Sequence, residues 1–137
     1  MDYGHWTCDH FDPASYHGFV YEITNKITGE KYIGQKRLHK TIKRPPLKGR
    51  KNKRHVTKDS DWRTYTGSSK RLNEDIQKLG KENFHFDILF LCQSQWELSY
   101  TEYKQIITED AIPKKTFYNE FLGKVGRPGE KDKEKYT

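Results

Sequence analysis

Residues 18–37 place aliphatic and aromatic side chains in two short segments on either side of a polar turn, which is the pattern of a β-hairpin. Aliphatic residues and tyrosines favour strands on both sides of the sequence "ITGE" at 27–30, which favours a turn. The segment also repeats one short pattern, a glycine and a tyrosine near an aliphatic residue, once in each half. The sequence therefore predicts two antiparallel strands joined near Thr28-Gly29.

The register of this hairpin decides which side chains share a face. If Thr28-Gly29 is a two-residue loop, Tyr21 lies opposite Lys36 and Asn25 lies opposite Tyr32. Because directly opposed residues share a face, Tyr21, Tyr32 and Lys36 then project from one side of the sheet. A four-residue loop preserves this arrangement, whereas a three-residue loop destroys it.

A helix and a strand are predicted in the second half of the chain. Apolar residues recur at helical spacing in "GSSKRLNEDIQKLG", with Ser68 or Ser69 as the N-cap and Gly80 as the C-terminal stop. The dense apolar run that follows, Phe84 to Cys92, predicts a strand. We expect that strand to be buried on the face of alternate residues that begins at Phe84 and ends at Phe90.

The next segment, "SQWELSYTEYKQIITED", predicts a second helix. Ser94 and Glu97 have the spacing of a capping box. Leu98, Glu102 and Ile106 then follow at intervals of four, so that a carboxylate stands within an apolar line. Either Glu102 lies at the edge of that line and pairs with a lysine or arginine, or it points into a polar site and holds a metal ion.

Together these elements predict one α/β domain, with a small, mainly antiparallel three-stranded sheet flanked by helices. An aromatic extension at 1–17, with Trp6, Phe11 and Tyr16, is expected to pack onto the domain. The domain itself spans 18–122 and contains a basic insertion at 37–58 rich in poor element formers. The charged tail at 123–137 is expected to fray.

Composition excludes a membrane span, because the mean hydropathy is −1.11 and no apolar run approaches ~20 residues. The beginning of the chain does not have the pattern of a secretory signal. Cys8 and Cys92 do not have the spacing of a metal-binding pair, and one disulfide between them is open but not required. A reducing cytoplasm is the simplest expected compartment.

The formal net charge is +7, which favours a polyanionic partner such as nucleic acid. From Lys36 to Lys58, 11 of 23 residues are lysine or arginine and none is acidic. This run is either a solvated loop or an arm that follows the phosphates of DNA. On the second interpretation, the DNA-binding residues are expected to be Lys48, Arg50, Lys51, Lys53 and Arg54.

In their order along the chain, five segments resemble the GIY-YIG nuclease family. They are "GFVY" at 18–21, "YIG" at 32–34, the helix and strand of "GSSKRLNEDIQKLGKENFHFDILF", the helix "ELSYTEYKQII" and the closing "FYNE". The resemblance covers about residues 18–120, and its style is that of free-standing phage-type homing or Seg-like endonucleases. Either short motif alone would be a weak signal, but the ordered set is specific. For a phage-encoded protein the expected compartment is the host cell cytoplasm.

The resemblance implies roles for particular residues. Tyr21 and Tyr32 would orient or deprotonate the attacking water, Glu102 would hold one Mg²⁺ or Mn²⁺ ion, and Asn119 would support the closing segment. Where many members have a helical arginine after "YIG", this chain has Ile42. The basic catalytic role could pass to a neighbouring cation, and the order of preference is Lys36, then Arg63, then Arg37.

The function that the resemblance implies is a divalent-metal-dependent endonuclease that hydrolyses phosphodiester bonds of double-stranded DNA. The alternatives are a non-catalytic nucleic-acid-binding protein on the same scaffold, or an interaction protein with a merely solvated basic loop. Retention of Tyr21, Tyr32 and Glu102 favours the nuclease. Because no separate recognition domain is visible, specificity is expected to come from the basic insertion, the aromatic extension, the tail, a homo-oligomer or a partner protein.

Overall fold

The computed structural model describes residues 2–136. Its strands are β1 (Gly18–Asn25), β2 (Lys31–Arg37), β3 (His39–Arg44), β4 (Arg54–Asp59) and β5 (Phe84–Cys92). Its α-helices are α1 (Lys70–Leu79), α2 (Gln95–Thr108) and the short α3 (Glu130–Lys133). Turns of 3₁₀-helix lie at Pro13–Ser15, Trp62–Thr64, Lys81–Asn83 and Glu134–Tyr136.

The main sheet has three antiparallel strands in the order β2-β1-β5, which confirms the predicted fold class. The central strand β1 is almost wholly buried, because each face of the sheet supports its own apolar cluster. One cluster includes Phe19, Tyr21 and Trp62. The other includes Val20 and Ile33 of the sheet and Leu98 of α2, so α2 covers the opposite face.

The predicted register of the β1–β2 hairpin is wrong by two residues, but its faces are right. Tyr21 pairs with Gly34 rather than with Lys36, and Ile23 pairs with Tyr32. The loop has four residues, because the Asn25 N–H donates to the Glu30 carbonyl across it. The side chain of Asn25 stabilises this longer loop by accepting hydrogen bonds from the N–H groups of Ile27 and Thr28.

Strand β5 has the predicted bounds, but its predicted buried face is only partly right. Phe84 and Phe86 are buried, whereas Phe90 is 44% exposed. The register against β1 shifts between Val20, which pairs with Phe90, and Tyr21, which pairs with Ile88. The extra residue opposite this step interrupts the alternation of faces, so the end of the strand turns Phe90 toward solvent.

Both predicted helices form with the expected caps. Ser69 is the N-cap of α1 and accepts from the Leu72 N–H, and Gly80 ends the helix with a positive φ of 93°. Ser94 accepts from the Glu97 N–H at the start of α2. The Glu97 carboxylate accepts from the N–H of Gln93, which completes the capping box one residue early.

The basic insertion is not an irregular loop. Its two halves form the antiparallel strands β3 and β4, which pair from His39–Asp59 to Arg44–Arg54 and form a separate two-stranded sheet. The expectation of poor element formers holds only for the tip at 45–53. β-Branched residues within the strands, such as Ile42 and Val56, favour the pairing despite the surrounding charge.

The aromatic extension packs onto the body as predicted. Trp6 and Phe11 are buried, and Tyr16 is half-buried against Phe11. The Trp6 indole N–H donates to the carbonyl of Trp62, which fixes the extension to the segment that follows β4. The extension therefore belongs to the core of the domain.

Within this extension, His5 is expected to make folding stability depend on pH. Its ring stacks on Phe86 with centroids 3.9 Å apart, and burial, with the Lys81 charge nearby, lowers its pKa to about 4. The unfolded chain binds this proton near pH 6.5, so the stabilisation is complete above that pH and is lost as the pH falls toward 4. His5→Phe should remove roughly 1–2 kcal/mol of this pH dependence in urea unfolding at pH 7.5 and 5.0. The prediction would be contradicted if the free energy of unfolding differed between the two pH values as much in His5→Phe as in the wild type. Substitution of the exposed His85 provides the control.

The tail was expected to fray, but the structure places it against α2. Ser94 donates to the carboxylate of Asp132, and Lys135 forms an ion pair with Glu97. Tyr136 contacts Trp96 edge-on, with ring centroids 5.7 Å apart. Aromatic and charged contacts with the helix thus hold a segment whose composition alone predicts disorder.

Two further observations concern the chain as a whole. Cys8 and Cys92 are both free, so the disulfide left open by the sequence does not form. None of the helices within residues 2–136 is long and apolar enough to cross a membrane.

Candidate active site

One face of the β1–β2 hairpin carries Tyr21, Tyr32 and Lys36, as the parity of the strands predicts. The rings of Tyr21 and Tyr32 lie with centroids 6.2 Å apart, tilted by 43°. Tyr21 is fully buried, whereas the Tyr32 hydroxyl reaches the wall of a cleft and hydrogen-bonds Ser68 at 3.2 Å. The two tyrosines are therefore neighbours with unequal access to solvent.

Gly34 and Gly67 provide the space that these phenols occupy. A Cβ at Gly34 would lie 2.4 Å from the Tyr21 hydroxyl oxygen, which no side chain could tolerate. A Cβ at Gly67, where φ is +85°, would lie 3.1 Å from Cε2 of Tyr32 and 3.2 Å from the Tyr21 hydroxyl. Gly34, the glycine of "YIG", is therefore required because the phenol of Tyr21 packs directly against it.

A third tyrosine, Tyr65, belongs to the same cluster, and sequence analysis did not identify it. Its ring lies 6.1 Å from that of Tyr21, nearly perpendicular to it. The Lys36 ammonium lies 4.2 Å from the centroid of Tyr65 and 2.7 Å from a carboxylate oxygen of Asp61. The only sequence signal was its place between Trp62 and Gly67 in the segment that leads into α1.

The protonation of the phenols follows from their surroundings. Burial, together with the neighbouring tyrosines and Glu102, raises the pKa of Tyr21 well above its usual range. Burial also raises the pKa of Tyr32, although its hydrogen bond with Ser68 acts in the opposite direction. Both hydroxyls are therefore protonated at neutral pH and are suited to donate hydrogen bonds.

Glu102 comes from α2, on the face of the sheet opposite to the tyrosines. Since β2 is an edge strand, the two sides meet beyond it in a cleft of about 750 Å³ that Tyr32, Glu102 and Asn119 all line. Burial raises the pKa of Glu102 to about 7, although the amide of Gln35 acts in the opposite direction. The first of the two interpretations of Glu102 requires an ion pair with a lysine or arginine. Within residues 2–136, Glu102 forms no such ion pair.

A directional chain of side-chain hydrogen bonds orients Glu102. The Gln35 amide donates to Oε1 of Glu102 at 3.2 Å, and Gln95 donates to the Gln35 carbonyl at 3.2 Å. The Gln95 carbonyl lies 2.9 Å from Nε2 of His17, which must therefore be the donor. The chain fixes one carboxylate oxygen of Glu102 while the residue still borders the cleft.

Asn119 closes the free edge of β2. Its side chain accepts from the Ile33 N–H at 2.9 Å and donates to the Ile33 carbonyl at 2.8 Å, as a neighbouring strand would. Just before it, the Tyr118 N–H donates to the carbonyl of Lys31. Asn119 thus holds the closing segment at the edge of the cleft, with its amide occupied by the backbone.

None of the three cations that the sequence analysis considered for the catalytic role lines this cleft. Lys36 and Arg37 line a second cleft of about 720 Å³, which shares Tyr103 with the first. Arg63 stacks over Trp62, donates to the Asp2 carbonyl and pairs with Asp59, and it lines neither cleft. The structure therefore brings Lys36 close to the tyrosines and leaves Arg63 outside.

Two other cations, Lys70 and Arg71, line the same cleft as Tyr32 and Glu102. Arg71 is held by an ion pair with Glu30 at 3.1 Å and by a hydrogen bond to the Phe117 carbonyl. Sequence analysis missed this pair. The available signal was their position in the first turn of α1, where the helix dipole disfavours cations and no acidic residue offsets them.

Among residues 2–136 there is no cluster of three histidine, cysteine or carboxylate side chains that could enclose a metal ion. Glu102 offers one half-buried carboxylate in a cleft that also has room for water, and the two other carboxylates on its wall, Glu74 and Glu120, are exposed. That donor set fits Mg²⁺, which is commonly held by one or two carboxylates together with waters and substrate phosphate. It does not fit a zinc site, which needs more protein ligands.

Comparison with known proteins identifies the family. The family model described as "Putative endonuclease segE, GIY-YIG domain" matches residues 3–122. The chain belongs to this GIY-YIG family. The match includes the hairpin β3–β4 and all but the first two residues of the aromatic extension.

Two relatives of the chain in Enterobacteria phage T4 have names that describe an activity. "Putative endonuclease segE" is 35% identical over 111 residues, which cover 81% of this chain and 43% of the relative. "Putative endonuclease segC" is 29% identical over 108 residues, which cover 79% of this chain and 44% of the relative. The GIY-YIG chain thus spans less than half the length of these relatives. No solved structure matches it significantly.

Proposed function

We propose that this chain is a divalent-metal-dependent endonuclease that hydrolyses phosphodiester bonds of double-stranded DNA. One observation carries the proposal: the Tyr32 hydroxyl, the Glu102 carboxylate and the cations Lys70 and Arg71 line one cleft. Phosphodiester hydrolysis needs these groups together, because water must be oriented and negative charge must be neutralised at the phosphoryl oxygens. Membership of the GIY-YIG family and the names of the T4 relatives support the same activity.

The residues divide the work as follows. Glu102 would hold one Mg²⁺ or Mn²⁺ ion, which when bound supplies Lewis acidity at the phosphate. The Tyr32 hydroxyl, protonated in the free protein, would position the attacking water by a hydrogen bond. Tyr21 would support Tyr32 from within the core, and Lys70 and Arg71 would stabilise the charge that develops on the phosphoryl oxygens.

Supercoiled plasmid tests this proposal directly. We expect conversion to nicked or linear DNA with Mg²⁺ and no conversion in EDTA. Binding without cleavage under both conditions would support the alternative function, a non-catalytic nucleic-acid-binding protein, instead of the nuclease. Absence of both binding and cleavage would leave only a domain with a solvated basic arm.

The basic arm, residues 36–58, is proposed to supply most of the affinity for DNA. Each phosphate contact releases counterions and contributes about −0.9 to the slope of log K against log[salt], so roughly half of the arm's cations would give a slope of about −4 to −6. Replacement of Lys48, Arg50, Lys51, Lys53 and Arg54 together should weaken binding to all duplexes alike and flatten the slope by several units.

A titration at four salt concentrations, with wild type and the five-fold variant, measures this effect. An identical slope in both proteins would show that the arm is only solvated, and the DNA surface would then lie on the extension or the tail. The chain covers less than half the length of these T4 relatives. Selection of a target sequence by a homo-oligomer or a partner protein is therefore a separate prediction.

A further inference from the structure

The hairpin β3–β4 separates its charge between two faces. Paired residues of antiparallel strands share a face, so the observed register places Lys40, Ile42, Arg44, Arg54, Val56 and Lys58 together. We call this set the cationic face. The opposite face carries His39, Thr41, Lys43, His55, Thr57 and Asp59, whose formal charges cancel with neutral histidines.

The cationic face is electrostatically unbalanced within the chain. Lys40 pairs directly with Lys58, and Arg44 pairs directly with Arg54. Like charges at directly opposed positions destabilise a sheet. None of these four cations forms an ion pair with a carboxylate in the part of the chain that the structure describes. An anionic partner would remove this repulsion.

The hairpin is anchored at its base next to the candidate active site. Leu38, directly after β2, is fully buried, and its backbone exchanges hydrogen bonds with His17 and Ser60. On the opposite face, the His39 ring lies 2.9 Å from the Pro13 carbonyl, so that face is turned toward the aromatic extension. Beyond the base, the two strands pack chiefly on each other.

The cationic face continues into the clefts beside β2. Lys40 lines the second cleft together with Lys36 and Arg37, and Tyr103 belongs to both that cleft and the one that contains Glu102. A polyanion on the cationic face would therefore run toward Glu102. The unbalanced charge and this continuity with the clefts both favour a polyanion as the occupant of the cationic face.

We infer that the hairpin β3–β4 enters the major groove of duplex DNA with its cationic face toward the bases and the flanking phosphates. The inference rests on the proposed function, which makes DNA the substrate. Each strand has six residues, so the hairpin is roughly 20 Å long. The major groove, about 12 Å wide, admits a two-stranded β-ribbon. Ile42 and Val56 lie in the middle of the face, where they can contact thymine methyl groups.

The test compares two variants that lose the same charge. Arg44→Gln with Arg54→Gln neutralises one cross-strand pair of the cationic face. Lys43→Gln with Lys114→Gln neutralises one lysine of the opposite face and one exposed lysine outside the hairpin. Binding to a duplex of mixed sequence is measured in EDTA, so that cleavage does not contribute. We expect the first variant to lose at least about tenfold in affinity and the second to lose less than about threefold.

Two additional measurements identify which groove is occupied and test whether the variants keep their fold. Methyl green, which occupies the major groove, should weaken binding of the wild type several-fold, and distamycin, which occupies the minor groove, should not. Arg44→Lys with Arg54→Lys keeps the charge and should bind within a few-fold of the wild type. That result would show that a weakened glutamine variant has lost cations rather than its fold.

Equal losses in the two charge-matched variants, or competition by distamycin instead of methyl green, would overturn the inference. A wild type that cleaves plasmid but shows either result would refute the groove contact and leave the nuclease intact. A wild type that shows the face-dependent binding but never cleaves would refute the nuclease and leave the groove contact. Failure to bind any duplex would refute both.

Discussion

Glu102→Ala is expected to abolish cleavage of duplex DNA, with a loss of about a thousandfold or more, while DNA affinity stays the same or rises slightly. Glu102 is the half-buried carboxylate among those that line the cleft with Tyr32, and it receives an amide hydrogen bond from Gln35. Its removal deletes the ligand proposed for the ion but none of the phosphate-binding cations. It also removes a negative charge from the path of a polyanion.

The measurement is initial-rate nicking of supercoiled plasmid in Mg²⁺, together with duplex binding in EDTA. Glu74→Ala provides the matched control, because Glu74 is an exposed carboxylate on the wall of the same cleft. We expect that control to cleave close to the wild-type rate. Wild-type cleavage by Glu102→Ala would show that the proposed position of the ion is wrong.

Tyr32→Phe is expected to have the second largest effect, a loss of about 10²–10³-fold in cleavage rate, as is usual for loss of a group that handles a proton or orients water. The change deletes only a hydroxyl, whose hydrogen bond is to Ser68 on the cleft wall. The ring contacts with Tyr21 and Gly67 remain, so the melting temperature should change little. Tyr21→Phe should also slow cleavage, by a smaller factor, because Tyr21 is buried behind Tyr32.

Thermal melts measured beside the kinetics separate a chemical effect from a structural one. Tyr100→Phe is the control, since Tyr100 lies on α2 and stacks on Trp96, away from the tyrosine cluster. A normal rate per folded molecule in Tyr32→Phe and Tyr21→Phe would mean that the phenols only pack the sheet.

Local sequence alone determined which side chains of the hairpin share a face. A strand alternates with a period of two, so Tyr21, Tyr32 and Lys36 remain together whether the loop has two or four residues. The caps of α1 and α2 were equally predictable, because Ser69 and Ser94 satisfy backbone N–H groups within their own turn. Such features depend on neighbours within a few residues along the chain.

Other features arose only when distant segments met. Packing between β1 and β5 introduced the step in register that exposes Phe90. The strands of the basic arm depend on pairing between residues on either side of the tip, and no short window of sequence reveals this pairing. The tail likewise required contacts with α2 that its composition does not predict.

For the site itself, the sequence determined the identity of several residues but not their arrangement. The sequence motifs identify Tyr32, Glu102 and Asn119 as site residues. The sheet order β2-β1-β5, which leaves β2 at an edge, is what allows them to line one cleft. Around that edge the tyrosine face and the α2 face open into one cleft, and the start of α1 brings Lys70 and Arg71 to the same place. Period-two alternation can assign a residue to a face, but only the three-dimensional packing can bring residues from opposite faces together.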